Sequence, residues 1–158
     1  MKKITILMSL MILLTLVGCT STPTVTTAQR TQMRTRTMDV DYEVAFRSTL
    51  MVLENQGYTI DNTDLDTGLI KATIAKDAFS AAQTFWLGTT GTEIYNMSCT
   101  VSKASKESCR IRFNVRLNTE TQQGMYNRSS AKEINDPIVY QNLFNELRLE
   151  IKRMEAIM

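Results

Sequence analysis

From Cys109 to Asn118 apolar and polar residues alternate without a fault. Cys109, Ile111, Phe113, Val115 and Leu117 fall on one side of an extended chain, and Arg110, Arg112, Asn114, Arg116 and Asn118 on the other. That period predicts a strand with one buried face and one solvated face. Residues 92–101 supply a partner ahead of it, so 92–101 and 108–119 are expected to form a hairpin joined by 102–107. An earlier hairpin is expected from 58–62 and 69–75, where Ile70, Ala72 and Ile74 face one way across the turn Asp64-Leu65-Asp66-Thr67-Gly68. A period of two over 30–37 predicts a first strand with Arg30, Gln32, Arg34 and Arg36 on one side and Thr31, Met33, Thr35 and Thr37 on the other.

Two stretches change to a helical period. After Asp39, a candidate cap, Tyr42, Ala45, Phe46, Thr49, Leu50 and Leu53 recur at three and four, and the run stops at Gly57. After Asp136-Pro137, a cap followed by a residue suited to the first helical position, Tyr140, Leu143, Phe144, Leu147, Ile151 and Met154 form a second stripe. The polar stretch 120–135 reads as a connection. The order is βαββ followed by ββα, which is satisfied by an α+β two-layer sandwich: an antiparallel sheet of about five strands with both helices on one face.

The start of the chain has a different logic. Lys2 and Lys3 precede an apolar run from Ile4 to Val17, too short to span a bilayer as a mature helix, and the run ends at Gly18-Cys19. Leu16-Val17-Gly18-Cys19 resembles the bacterial lipobox, with Val17 where that motif more often has Ala or Ser. The resemblance implies that residues 1–18 are a signal peptide cut off before Cys19, whose thiol carries diacylglycerol. The residue after the Cys is Thr20 rather than the Asp that retains such lipoproteins in the inner membrane, which implies an outer-membrane, lipid-anchored protein with its domain in the periplasm. Two or three acyl chains, at about 0.8 kcal/mol per buried CH₂, hold a chain far longer than one does. Residues 19–29, polar and uncharged after the Cys, are expected to be a tether, and 30–158 a single domain.

Composition narrows the chemistry. Removing residues 1–18 takes Lys2 and Lys3 with it and leaves 16 basic against 16 acidic residues. A neutral body argues against a nucleic-acid partner. The chain has no His, the commonest general base and metal ligand. Asp61, Asp64, Asp66 and Gly68 lack the spacing of a calcium loop and read as a turn. There is no Gly-x-Ser-x-Gly elbow and no phosphate loop, so no enzyme, metal or cofactor is expected.

The stretch from Asp41 to Asp61, followed by Asp64-Leu-Asp-Thr-Gly-Leu-Ile-Lys-Ala, resembles the periplasmic α/β modules of small bacterial lipoproteins, including the BamC-like repeat. The shared pattern is a helix, Gly-aromatic-x-Ile, an acidic turn and Gly-x-Ile. Asp136-Pro-Ile-Val-Tyr-Gln-Asn-Leu-Phe is similar to the closing helix of uncharacterised lipoproteins carrying that module. BamC-like proteins are accessory components of the machinery that inserts outer-membrane β-barrels, so the resemblance implies an accessory role with an envelope protein partner.

Three candidate features remain. Cys99 and Cys109, placed symmetrically about Ala104, are expected as cross-strand neighbours; an exported protein would oxidise them to a disulfide, the alternative being two buried free thiols. Arg30, Arg34, Arg36, Arg110, Arg112 and Arg116, with Lys71, are expected to share the open face of the sheet. That face would either dock an acidic protein surface, anionic headgroups or a glycan, or be merely solvated. Phe79, Phe85 and Trp86 fall on a short helix between the hairpins, as a lid, a partner anchor, a membrane contact or plain packing. The expected function is a noncatalytic accessory or scaffold lipoprotein of the envelope, with a carrier of a lipid or glycan between sheet and helices as the alternative.

Overall fold

The computed structural model describes residues 26–80, 83–85 and 88–157. The leader, Cys19 and most of the tether lie outside them, as does Trp86. Its elements are α1 (Thr27–Arg34), β1 (Thr35–Met38), α2 (Tyr42–Asn55), β2 (Thr59–Asp64), β3 (Leu69–Asp77), β4 (Thr89–Lys103), β5 (Cys109–Gln123), β6 (Tyr126–Glu133) and α3 (Pro137–Ile157). The strands form one antiparallel sheet in the order β1-β5-β4-β3-β2, with β6 also on β5. The expected α+β sandwich holds, with two elements added and one helix cap corrected.

The first correction is α1. Residues 30–34 are not strand but helix, and residues 26–29 are its cap and first turn rather than tether. Thr26 and Gln29 form a reciprocal capping box, the Thr26 hydroxyl taking the Gln29 N–H while the Gln29 side chain takes the Thr26 N–H at 2.9 Å. That box satisfies two of the backbone donors a helix start leaves open, and Thr-Arg alternation gives a strand no apolar face to oppose it.

The second is β6, which occupies much of the stretch expected to be a connection. All its residues but Glu133 are exposed, so no alternation of apolar residues marks it. It pairs with residues 116–123 of β5, whereas β1 pairs with 109–112 of the same edge. The third is the cap of α2, which is Asp41 rather than Asp39: its carboxylate accepts the Glu43 N–H at 2.8 Å.

The core lies between the sheet and α2 and α3. Ile111, Phe113 and Val115 of β5, Met97, Cys99 and Val101 of β4, and Ile70 and Ala72 of β3 point toward the helices, which answer with Ala45, Phe46, Val52, Leu53, Tyr140, Leu143, Phe144 and Leu147. The Phe113 and Phe144 rings meet at 5.1 Å between centroids, tilted by 60°. Both predicted helical stripes are buried or half-buried throughout.

Between β1 and β6 residues 113–115 of β5 have no strand partner on this edge; the Ile134 N–H donates to the Val115 carbonyl at 2.9 Å, and side chains close the rest. Arg34, the last residue of α1, is buried there. It donates to Asn114 Oδ1 at 3.0 Å, Glu133 Oε2 at 3.1 Å and Asn135 Oδ1 at 2.7 Å, and its guanidinium lies 5.8 Å from the Tyr140 ring centre. The Tyr140 hydroxyl accepts the Val115 N–H at 3.4 Å and donates to the Ile134 carbonyl at 2.8 Å. Four elements, α1, β5, β6 and α3, are joined at this one guanidinium, whose planar fork suits several oxygens at once.

Candidate binding face

On β5 the residues that point away from α2 and α3 are Arg110, Arg112, Asn114, Arg116 and Asn118. Their cross-strand neighbours on β4 are Ser102, Thr100, Ser98, Asn96 and Ile94, and Lys71 of β3 continues the row beyond Ser98. Three arginines and one lysine therefore lie on one side of the sheet. The expectation of a shared basic face is met by Lys71, Arg110, Arg112 and Arg116.

It is not met by the other three arginines. Arg30 lies on α1 and Arg34 is the buried clamp. Arg36 is opposite Ile111, which points to the helices, so Arg36 points that way too, and its guanidinium sits 5.3 Å from the Phe144 ring centre. The Thr residues of β1 face the open side instead, Thr35 opposite Arg112 and Thr37 opposite Arg110. A pairing register fixes which side every residue takes, and an eight-residue helix ahead of a four-residue strand breaks the count that a continuous strand would have kept.

Among the described residues Arg110, Arg112 and Lys71 form no ion pair, and Arg116 approaches Glu133 only at 3.8 Å. Arg34, with Arg116 and Arg30 adding to it, holds the Glu133 carboxyl below the usual carboxylate range through a hydrogen bond and its charge. A shallow depression of about 380 Å³ opens on this face, lined by Lys71, Arg116, Asn96, Asn114, Ser98 and Asp61. Asp61 accepts from the Thr73 hydroxyl at 3.0 Å. Fixed cations beside amides and hydroxyls suit an oxyanion or carboxylate surface, with direction supplied by the neutral groups.

The aromatic segment divides. Phe79 is half-buried and lies over Gly91, where a Cβ would come within 2.8 Å of the Phe79 ring, and the Ala78 N–H bonds the Gly91 carbonyl at 2.9 Å. Phe79 is a packing residue. Residues 83–85 are helical, Ser80 and Gln83 bond each other as a capping pair, and Phe85 is 79 % exposed.

The disulfide expectation is corrected. Cys99 is opposite Phe113 and Cys109 is opposite Lys103, so the hairpin turns about Lys106 rather than Ala104, and both thiols are free and buried. Each Cys stands four residues from the position opposite the other, roughly 13 Å along the strand and outside disulfide reach. Burial pushes the Cys99 thiol up strongly; it raises Cys109 as well, with Asp41 adding to the shift and Lys103 opposing it. Neither is a poised nucleophile. An alkylating reagent is expected to label the folded protein at neither position and both after unfolding without reductant; labelling of neither after unfolding would restore the disulfide.

A residue that the sequence reading placed on the surface thus has the densest polar network among the described residues: Arg34. The signal was Thr26-x-x-Gln29, which announces a helix. The Glu133 carboxylate and the Tyr140 hydroxyl that complete this network carried no signal beyond their residue types. Among the described residues no group of three or more Cys, Asp or Glu side chains could hold a metal ion, and no helix is long and apolar enough to cross a membrane. No protein-family model matches the chain, and no curated protein is significantly similar to it.

Proposed function

We propose that this chain is a lipid-anchored, noncatalytic accessory or scaffold protein of the bacterial envelope, related to the BamC-like lipoprotein modules. Acyl chains on Cys19 tether it to the outer membrane with its domain in the periplasm, and the open sheet face docks an acidic surface of an envelope protein. The observation that carries the docking half is the row of Lys71, Arg110, Arg112 and Arg116 on a face that α2 and α3 leave uncovered, three of the four without an ion pair among the described residues. Cations that form no ion pair, as at Lys71, Arg110 and Arg112, leave the attraction available to a partner.

The test is charge reversal. A chain with Arg110 and Arg112 changed to Glu is expected to keep its melting temperature within a few degrees, because both side chains are exposed and neither forms an ion pair among the described residues. It should lose at least about tenfold of the envelope protein captured by crosslinking in whole cells. Equal capture by parent and variant would reject the face as the docking surface.

A second reading, a carrier, is supported by a different region. At the ends of α2 and α3 an open cleft of about 880 Å³ is lined by Tyr58, Ile74, Tyr95 and Val139, with Lys76, Lys132, Glu133 and Asp136 beside them. Lys76 lies 5.6 Å from the Tyr95 ring centre. An amphiphile whose head carries both charges, or a polar glycan, fits that lining. A lipid or glycan released from the purified protein and lost on Tyr95→Ala would favour the carrier over the scaffold.

A further inference from the structure

We propose that two copies of this chain pair edge to edge through β6, antiparallel about Ser129, to make one sheet continuous across the two domains. The pairing uses no property of Cys19 or of the arginine face and stands apart from the function proposed above.

The observation is a long, regular edge. A sheet edge presents unpaired N–H and C=O groups to any second strand, and proteins blunt such edges by shortness, bulges, Pro or charge. β1 is four residues long. β2 has a register shift between Ile60 and Asn62. β6 is eight residues, runs on β5 in an unbroken register from Arg116 opposite Glu133 to Gln123 opposite Tyr126, and contains no Pro; its Arg128, Lys132 and Glu133 limit which register a second strand can take. At its tip Met125 is 98 % exposed and Tyr126 81 %.

Geometry then restricts the register. Two identical antiparallel strands in one sheet are related by a two-fold axis perpendicular to it, and residues opposite each other share a face. Odd and even positions of β6 point to opposite faces, so the axis passes through a residue. Centred on Ser129, the pairs are Tyr126 with Lys132, Asn127 with Ala131, Arg128 with Ser130 and Ser129 with itself, and no like charges are opposed. Centred on Ser130, Arg128 stands opposite Lys132 twice; centred on Arg128, it stands opposite itself. Like charges directly opposite destabilise a strand pair, so the Ser129 register is selected over its neighbours. It also sets the exposed Tyr126 ring beside the Lys132 ammonium of the second copy, a cation–π contact.

The experiment uses the full chain in its native membranes. Ser129→Cys is expected to give, on mild oxidation, a disulfide-linked dimer that disappears with reductant and is not formed by the parent chain. Its yield should exceed that of Ser105→Cys, on the β4–β5 turn, which measures random collision. Adding Ser130→Glu, which opposes Glu to Arg128 twice, should raise the yield, and Ser130→Arg should lower it, by about threefold or more between the two. Dimer no more abundant than from Ser105→Cys, or equal yields from the two Ser130 variants, would overturn the proposal.

Discussion

Alanine at Gly68 is expected to destabilise the domain by about 2 to 5 kcal/mol, enough to leave little of it folded at growth temperature. Gly68 has φ +69°, in the left-handed region that an L side chain enters at a cost of about 1 to 2 kcal/mol. A Cβ there would also stand 1.9 Å from the Val101 carbonyl oxygen and 2.8 Å from the Tyr42 hydroxyl. The carbonyl is backbone of a central strand and cannot turn aside, because Gly68 is itself tied to it: the Val101 N–H donates to the Gly68 carbonyl at 2.8 Å. Forcing atoms into a filled site costs a further 1 to 3 kcal/mol or so. Gly124 supplies the control. Its φ is +58° but nothing lies within 4 Å of its Cβ position, so Gly124→Ala should cost only about 1 kcal/mol. Urea unfolding of the three proteins measures both; equal losses at the two positions would show that the close approach at Gly68 is not what requires glycine.

Arg34→Ala is expected to cost about 2 to 4 kcal/mol and to release α1 from the body. Removing one partner of a buried charge network typically costs 3 to 5 kcal/mol or so, and the figure is reduced here because Glu133, at 35 % side-chain exposure, regains water. Asn114 and Asn135 lose their donor, and the Tyr140 ring loses the cation against it. Arg34→Lys keeps the charge but not the fork and should recover less than half of the loss. Hydrogen exchange localises the effect: amides of α1 should lose protection before those of α2 or α3.

The same clamp sets a pH dependence. The Glu133 carboxyl is held below its ordinary value in the folded protein, so its contribution is fully present above the unfolded value of about 4.3. It is lost as pH falls through the depressed folded value. Acid loosening of α1 is therefore expected below about pH 4, and Glu133→Gln should remove that pH dependence while weakening the docking at neutral pH. An unchanged acid profile in the Gln variant would assign the loosening to other carboxylates.

How much of this was legible follows from where burial is one-sided. β4 and β5 could be read because one face packs on helices and every second residue says so; the stripes of α2 and α3 could be read for the same reason. β6 could not, since Tyr126 to Lys132 are exposed on both faces and only Gly124, suited to a tight turn, hinted at a hairpin. α1 was announced by its cap and concealed by Thr-Arg alternation. The pairing of Cys99 with Cys109 failed because a register is set by the turn: Ala104 and Ser105 both donate to the Ser108 carbonyl, which tightens the loop around Lys106. The basic face was legible on β5, where the alternation is clean, and not on α1 and β1, where the chain changes from helix to strand between Arg34 and Thr35.

A lipid tether at Cys19 underlies the proposed function, and the mass of the N-terminal peptide from membrane-extracted protein tests it. The expected chain begins at Cys19 and carries diacylglycerol on its sulfur, with Cys19→Ser leaving the leader uncut. A chain that still begins at Met1, or one that begins at Cys19 with an unmodified thiol, would contradict it.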